Sequence, residues 1–177
     1  MDILFKLTDK DIGEKENELK SNHRLRIASR GIVLRDDGKI AVFNKTNKNE
    51  YKLPGGGLEG DELPESAFKR EVLEETGCEV EIINKLGVVE EENSLDNYKQ
   101  ISHIFVGKVL KDYKKLNLTK KEKDEGARLL WVLPEEALKL IKDCKNKIIS
   151  SNYYTLNHTK FVVLRDSKIL EYYLDNM

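Results

Sequence analysis

Apolar and polar residues alternate along much of this chain with the period of two that marks half-buried strands. Ile3, Phe5 and Leu7 predict a short edge strand, followed by a polar stretch up to about residue 23. Arg24–Arg35 (RLRIASRGIVLR) reads as the next strand, Asp36-Asp37-Gly38-Lys39 as a hairpin turn, and Ile40–Asn44 as the returning strand. Thr46–Glu50 reads as a polar loop, and Tyr51–Pro54 leads into the run Gly55-Gly56-Gly57. Further strands are predicted at Glu79–Glu90, with a break at Gly87, at Gln100–Leu110 and at Arg128–Val132. The acidic stretch Glu90–Asn93 reads as a loop or strand end, and the lysine-rich Lys111–Lys123 as a mobile, solvated connection.

Helical spacing takes over in three places. Pro64 suits a first helical turn and Gly77 a left-handed C-terminal cap, which bounds a helix at about Leu63–Thr76. Its apolar positions, Ala67, Phe68, Val72 and Leu73, are expected to face a core. Pro134, with Glu135 and Glu136 in the first turn, opens a helix to about Lys142, and Ile169–Leu174 belongs to a C-terminal helix from about Asp166. Strands around one inserted helix, with more helices late, predict an α/β (α+β) layering.

The inserted helix carries the chemistry. Glu71, Glu74 and Glu75 fall at i, i+3 and i+4, a spacing that places Cβ atoms roughly 5–6 Å apart on one face. Three like charges held that close repel one another unless something positive sits among them. Hard divalent cations take carboxylate oxygens as ligands and fill the rest of their shell with waters and substrate phosphates. The glycine run just upstream lets backbone approach a ligand closely, and a glycine carbonyl there is a candidate further ligand. The alternative reading is a solvated face, with Arg70 and Glu74 as an i,i+4 ion pair.

The spacing decides between them. Gly56, five residues, Glu62, seven residues, Arg70-Glu71-Val72, one residue, Glu74-Glu75, one residue, then Gly77 and Cys78 resembles the Nudix box of Nudix (MutT-related) hydrolases. Cys78 stands where an aliphatic residue is usual, and a free cysteine behaves as a small hydrophobe. The box covers 23 of 177 residues, and the strand pattern extends the likeness to about residues 24–142. The resemblance implies a Nudix-type α/β/α sandwich with a mixed central sheet over 24–177, with 1–23 as an extension carrying the edge strand. It implies a pyrophosphohydrolase of nucleoside diphosphates linked to another group, with Mg²⁺ (or Mn²⁺) held by Glu71, Glu74, Glu75 and the Gly56 carbonyl. Glu71 is an alternative base, and Glu62 and Arg70 would pair to fix the loop against the helix. Some members take the base from a later loop, where Glu125 is the candidate, with Glu122 and Asp124 behind it.

Composition narrows partners and setting. Lys plus Arg is 31 and Asp plus Glu 32, a net charge of −1 that gives no general reason to expect nucleic acid or membrane. Cys78 and Cys144 offer neither a disulfide framework nor a zinc spacing. The N-terminus lacks the look of a signal peptide, so a reducing cytoplasm is the expected location. A small-molecule nucleotide is the implied partner, with a homodimer left open. Substrate markers are weak: the position where an ADP-ribose branch carries proline is Asn93, and Tyr98 lies just beyond a dinucleoside-polyphosphate position. A nucleoside triphosphate and a nucleotide sugar both stay open. Two other classes compete: a nucleotide-sensing module without turnover, which would be expected to lose a glutamate, and an RNA-end hydrolase drawing on the lysine-rich loop.

Overall fold

A computed structural model of the protein describes residues 2–176. Eight strands form one mixed sheet: β1 (Ile3–Thr8), β2 (Arg24–Leu34), β3 (Ile40–Lys45), β4 (Glu50–Lys52), β5 (Gly55–Gly57), β6 (Cys78–Asn93), β7 (Tyr98–Asp112) and β8 (Ala127–Val132). The main order is β1-β6-β7-β2-β3-β4, with β5 against β2 and β8 against β3. The β1–β6 and β2–β7 pairs are parallel and the others antiparallel.

Strand alternation sends neighbouring residues to opposite faces and so builds two cores. On one face Val33, Ala41, Val80 and Phe105 pack against Phe68 and Val72 of α1 (Pro64–Thr76). On the other, Ile32, Ile40, Val42, Ile104 and Val106 pack against α3 (Pro134–Cys144) and α4 (Leu156–Asn176). The result is the layered α/β/α sandwich with a mixed central sheet. A fourth, five-residue helix, α2 (Lys120–Asp124), starts from a Thr119–Glu122 capping box.

Several expectations are met at residue level. Pro64 occupies the first turn of α1, and Gly77 caps it with φ 72°. Gly38 closes the hairpin with φ 78°, and Gly87 sits at a register shift in β6 with φ 148°.

Four are corrected or narrowed. Leu73 is 44% exposed, because at 100° per residue it falls about 140° around the helix from Phe68. The acidic stretch Glu90–Asn93, read as a loop or strand end, is the end of β6: β1 lies along one side of it and β7 along the other, with Lys6 and Lys99 neutralising Glu92. The lysine-rich connection is anchored, since Tyr113 N–H donates to Gly77 O (2.9 Å) and Asn117 N–H to Glu74 O (2.8 Å). Finally, α4 begins ten residues earlier than expected. Its inward face carries Thr159, Arg165, Asp166 and Ser167, all buried, which a hydrophobic pattern reads as surface.

Candidate active site

The site forms where β5, α1 and the segment leading into α2 meet. Pairing of Gly55–Gly57 with Ala28–Arg30 of β2 fixes the glycine backbone, and α1 packs across it. A Cβ added to Gly56 would collide with the carboxylate of Glu71, so glycine here is a condition of the approach.

Arg70 organises the glutamate face. Its Nη2 donates to Glu62 Oε1 (2.7 Å) and to the Gly57 carbonyl (2.9 Å), and its Nε to Glu62 Oε2 (3.3 Å). Its Nη1 reaches Glu71 Oε1 (2.9 Å) and Glu74 Oε2 (3.4 Å). Hydrogen bonds to Glu62, then Glu71, raise the arginine pKa, and the same bond holds the Glu62 carboxyl below its ordinary range. Glu62 and Arg70 thus tie the glycine loop to the helix, and Glu71 and Glu74 lie side by side at the cleft.

Glu75 lines the same cleft from deeper in and is 2% exposed. Its Oε1 accepts from Lys52 Nζ (2.7 Å) and its Oε2 from Gly55 N–H (2.8 Å). Burial draws the Lys52 ammonium pKa down, and the adjacent Glu75 carboxylate more than offsets this, leaving it raised. Glu75 therefore anchors the glycine segment and has only its remaining lone pairs to offer an ion.

Glu125 lies outside the cleft. It is 2% exposed and bonded to Lys45 Nζ (2.6 Å) and Ser151 Oγ (2.7 Å), with Lys48 Nζ at 4.0 Å. Burial works to raise its pKa, but Lys45 and Ser151 outweigh it and the carboxyl stays low. A carboxylate so held accepts a proton poorly. The loop carboxylate that does line the cleft is Glu122, with Thr119 and Lys121 beside it, and its oxygen accepts from Thr119 N–H (2.8 Å) as a helix cap.

Among the described residues no three Asp, Glu, His or Cys side chains converge on one ion position, and Arg70 supplies the positive charge between Glu71 and Glu74. The donor set nevertheless suits a hard divalent cation: two adjacent carboxylates, with glycine backbone packed against one of them.

Residues that the sequence reading passed over line the same cleft: Arg26, Lys45 and Lys52 from the sheet and Tyr154 from the segment before α4. Their signal was parity, since Arg26 and Arg30 share the strand face of Ile32. His158 stacks on Tyr154 at 4.3 Å between ring centres.

The NUDIX domain family model matches residues 24–151. The chain belongs to the Nudix family. It is 33% identical over 106 residues to a MutT-like protein of Streptomyces ambofaciens, covering 60% of this chain and 62% of that one. It is 27% identical over 108 residues to diphosphoinositol polyphosphate phosphohydrolase 3-alpha of Mus musculus, covering 61% and 62%. The chain thus spans about 62% of the length of these curated relatives. In fold it resembles a NUDIX hydrolase from Nitrosomonas europaea, with a TM-score of 0.61 at 18% identity over 86% of this chain and 90% of that one. The Nudix box is the α1 face described above, and no described helix is long and apolar enough to cross a membrane.

Proposed function

We propose that this Nudix protein hydrolyses a phosphoanhydride bond in a substrate built on a nucleoside diphosphate, with Mg²⁺ (or Mn²⁺) as cofactor. One observation carries the reading: Arg70, pinned by Glu62 and the Gly57 carbonyl, sets Glu71 and Glu74 together at the cleft beside Gly56. A solvated salt-bridge face would not require a glycine whose missing Cβ makes room for one of its carboxylates.

Glu71, Glu74 and the Gly56 carbonyl would hold the metal, with Glu75 backing the glycine segment. Bound there, a divalent ion neutralises phosphate charge and lowers the pKa of water, so that hydroxide is available near neutral pH. Glu71 would orient or deprotonate that water, a role that Glu125, held by Lys45, is poorly suited to. Arg70 and Glu62 act through the others, as positioning residues.

The test is a panel of nucleoside di- and triphosphate derivatives, a nucleotide sugar and a diphosphoinositol polyphosphate, assayed with Mg²⁺ and with chelator. Release of a phosphorylated product is expected only with metal. Turnover that survives chelation sinks the proposal.

A second check uses Gly56→Ala. The added Cβ displaces the Glu71 carboxylate, the free end of a flexible side chain, so the melting temperature should hold while kcat falls about 10²-fold, the cost of a misplacement near 1 Å. Unchanged turnover in a folded Gly56→Ala protein contradicts the role given to Glu71.

A further inference from the structure

Behind the glutamate cleft lies a second pocket, between β2, β3, β4 and α4. Arg26, Lys45, Lys52, Gly55 and Tyr154 line both, so the two spaces share a wall. The rear pocket is lined by six cations, Arg26, Arg30, Lys45, Lys48, Lys52 and Arg165.

Building such a pocket is costly. Taking a charge out of water costs several kcal/mol even after relaxation, and it is tolerated where partners compensate it. Here compensation is incomplete. Lys48 pairs with Glu50, Lys45 with Glu125, Lys52 with Glu75, and Arg165 with Glu91 and Asp166. Arg26 is left with a neutral partner, donating to Gln100 Oε1 at 2.9 Å. Arg30, 3% exposed, has its near carboxylate, Asp166, at 3.9 Å and an unpartnered Nε. Arg165, 1% exposed, keeps an unpartnered Nη2. Buried guanidinium donors without acceptors are rare and ask for a ligand.

We infer that this rear pocket is an anion subsite that takes one phosphate group of the substrate, additional to the diphosphate being cleaved. The inference deepens the proposed hydrolase reading and rests on it for the word substrate.

Three observations favour a phosphate over a nucleobase. The cavity volume is about 50 Å³, room for a few waters and the scale of one tetrahedral oxyanion. A base would need a free aromatic face, but Tyr154 already stacks on His158 and carries the Lys121 ammonium 3.4 Å from its ring centre. Fixed donors in a planar fork match phosphate oxygens. The surroundings disfavour a further positive charge: burial, then Arg165, Lys48, Arg26 and Lys121, push His158 down to about 2. Burial and Arg165 likewise bring Arg30 down to about 10.

The test separates this subsite from the hydrolase reading by measuring binding without metal. Inorganic phosphate is titrated calorimetrically into the protein in EDTA at fixed ionic strength. Saturable binding is expected in wild type and in Glu74→Gln, with about tenfold weaker binding in Arg26→Gln. Arg26→Lys, which keeps the charge but loses the planar fork, serves as the second variant if Arg26→Gln does not fold. Absence of saturable binding, or equal affinity in wild type and the basic-residue variants, overturns the inference even if metal-dependent hydrolysis is found. In steady-state assays with the best panel substrate, phosphate is expected to raise KM and leave kcat unchanged. A fall in kcat without a change in KM would overturn the assignment to a substrate group.

Discussion

Glu74→Gln should lower kcat by about two orders of magnitude or more, close to 3 kcal/mol of transition-state stabilisation, while the fold stays intact. The separation follows from how Glu74 is held. Its side chain is 34% exposed and accepts from Arg70 Nη1 at 3.4 Å, four residues earlier on the same helix. Such pairs are worth about 0.3–0.5 kcal/mol, so the melting temperature should move by only a degree or two. Glutamine keeps the size and a hydrogen-bond acceptor but lacks the charge that a divalent ion requires. The check is steady-state kinetics beside thermal denaturation. A kcat within about twofold of wild type would remove Glu74 from the machinery. Glu75→Gln would not serve, because Glu75 is buried against Lys52 and Gly55, and loss of activity there could come from loss of fold.

The contrast between Glu74 and Glu75 marks how far the sequence could be read. Pro64, Gly77 and the glycine run identified the helix, its caps and the glycine approach, because each rests on local geometry within a short stretch of chain, and the resemblance to the Nudix box supplied the Glu62–Arg70 tie. Alternation located the strands for the same reason. Local pattern could not show that, of two adjacent glutamates, Glu75 is buried against Lys52 while Glu74 stays open, since that depends on where β4 lies. Nor could it show that Glu125 sinks onto Lys45, whose position is 80 residues away in sequence. The buried charges misled most. Arg165 and Asp166 on the inner face of α4 break the apolar stripe that would have revealed ten further residues of helix. The basic pocket was illegible because its cations come from three separate stretches, 26–30, 45–52 and 165, each unremarkable alone.

Asp166→Ala is expected to cost about 3–5 kcal/mol of folding stability, a large part of the roughly 5–15 kcal/mol available to a domain. Asp166 is 0% exposed, and each oxygen has a task. Oδ2 accepts from Leu53 N–H at 2.8 Å, and Oδ1 from Arg165 Nε at 2.7 Å, with Arg30 Nη1 at 3.9 Å. Truncation strands a buried backbone donor and leaves two buried guanidiniums short of a counter-charge. Asp166→Asn should fall between, since an amide oxygen still accepts one hydrogen bond while the charge is gone. Urea denaturation of the three proteins gives the order directly, and a loss under about 1 kcal/mol for alanine would mean the network relaxes onto Glu91. The position has a second consequence. Leu53 leads through Pro54 into Gly55–Gly57, so this carboxylate also ties α4 to the strand on which the glutamate face is built. Surviving folded Asp166→Asn protein should therefore lose activity through a displaced glycine segment, and phosphate added in excess should restore stability by filling the subsite beside it.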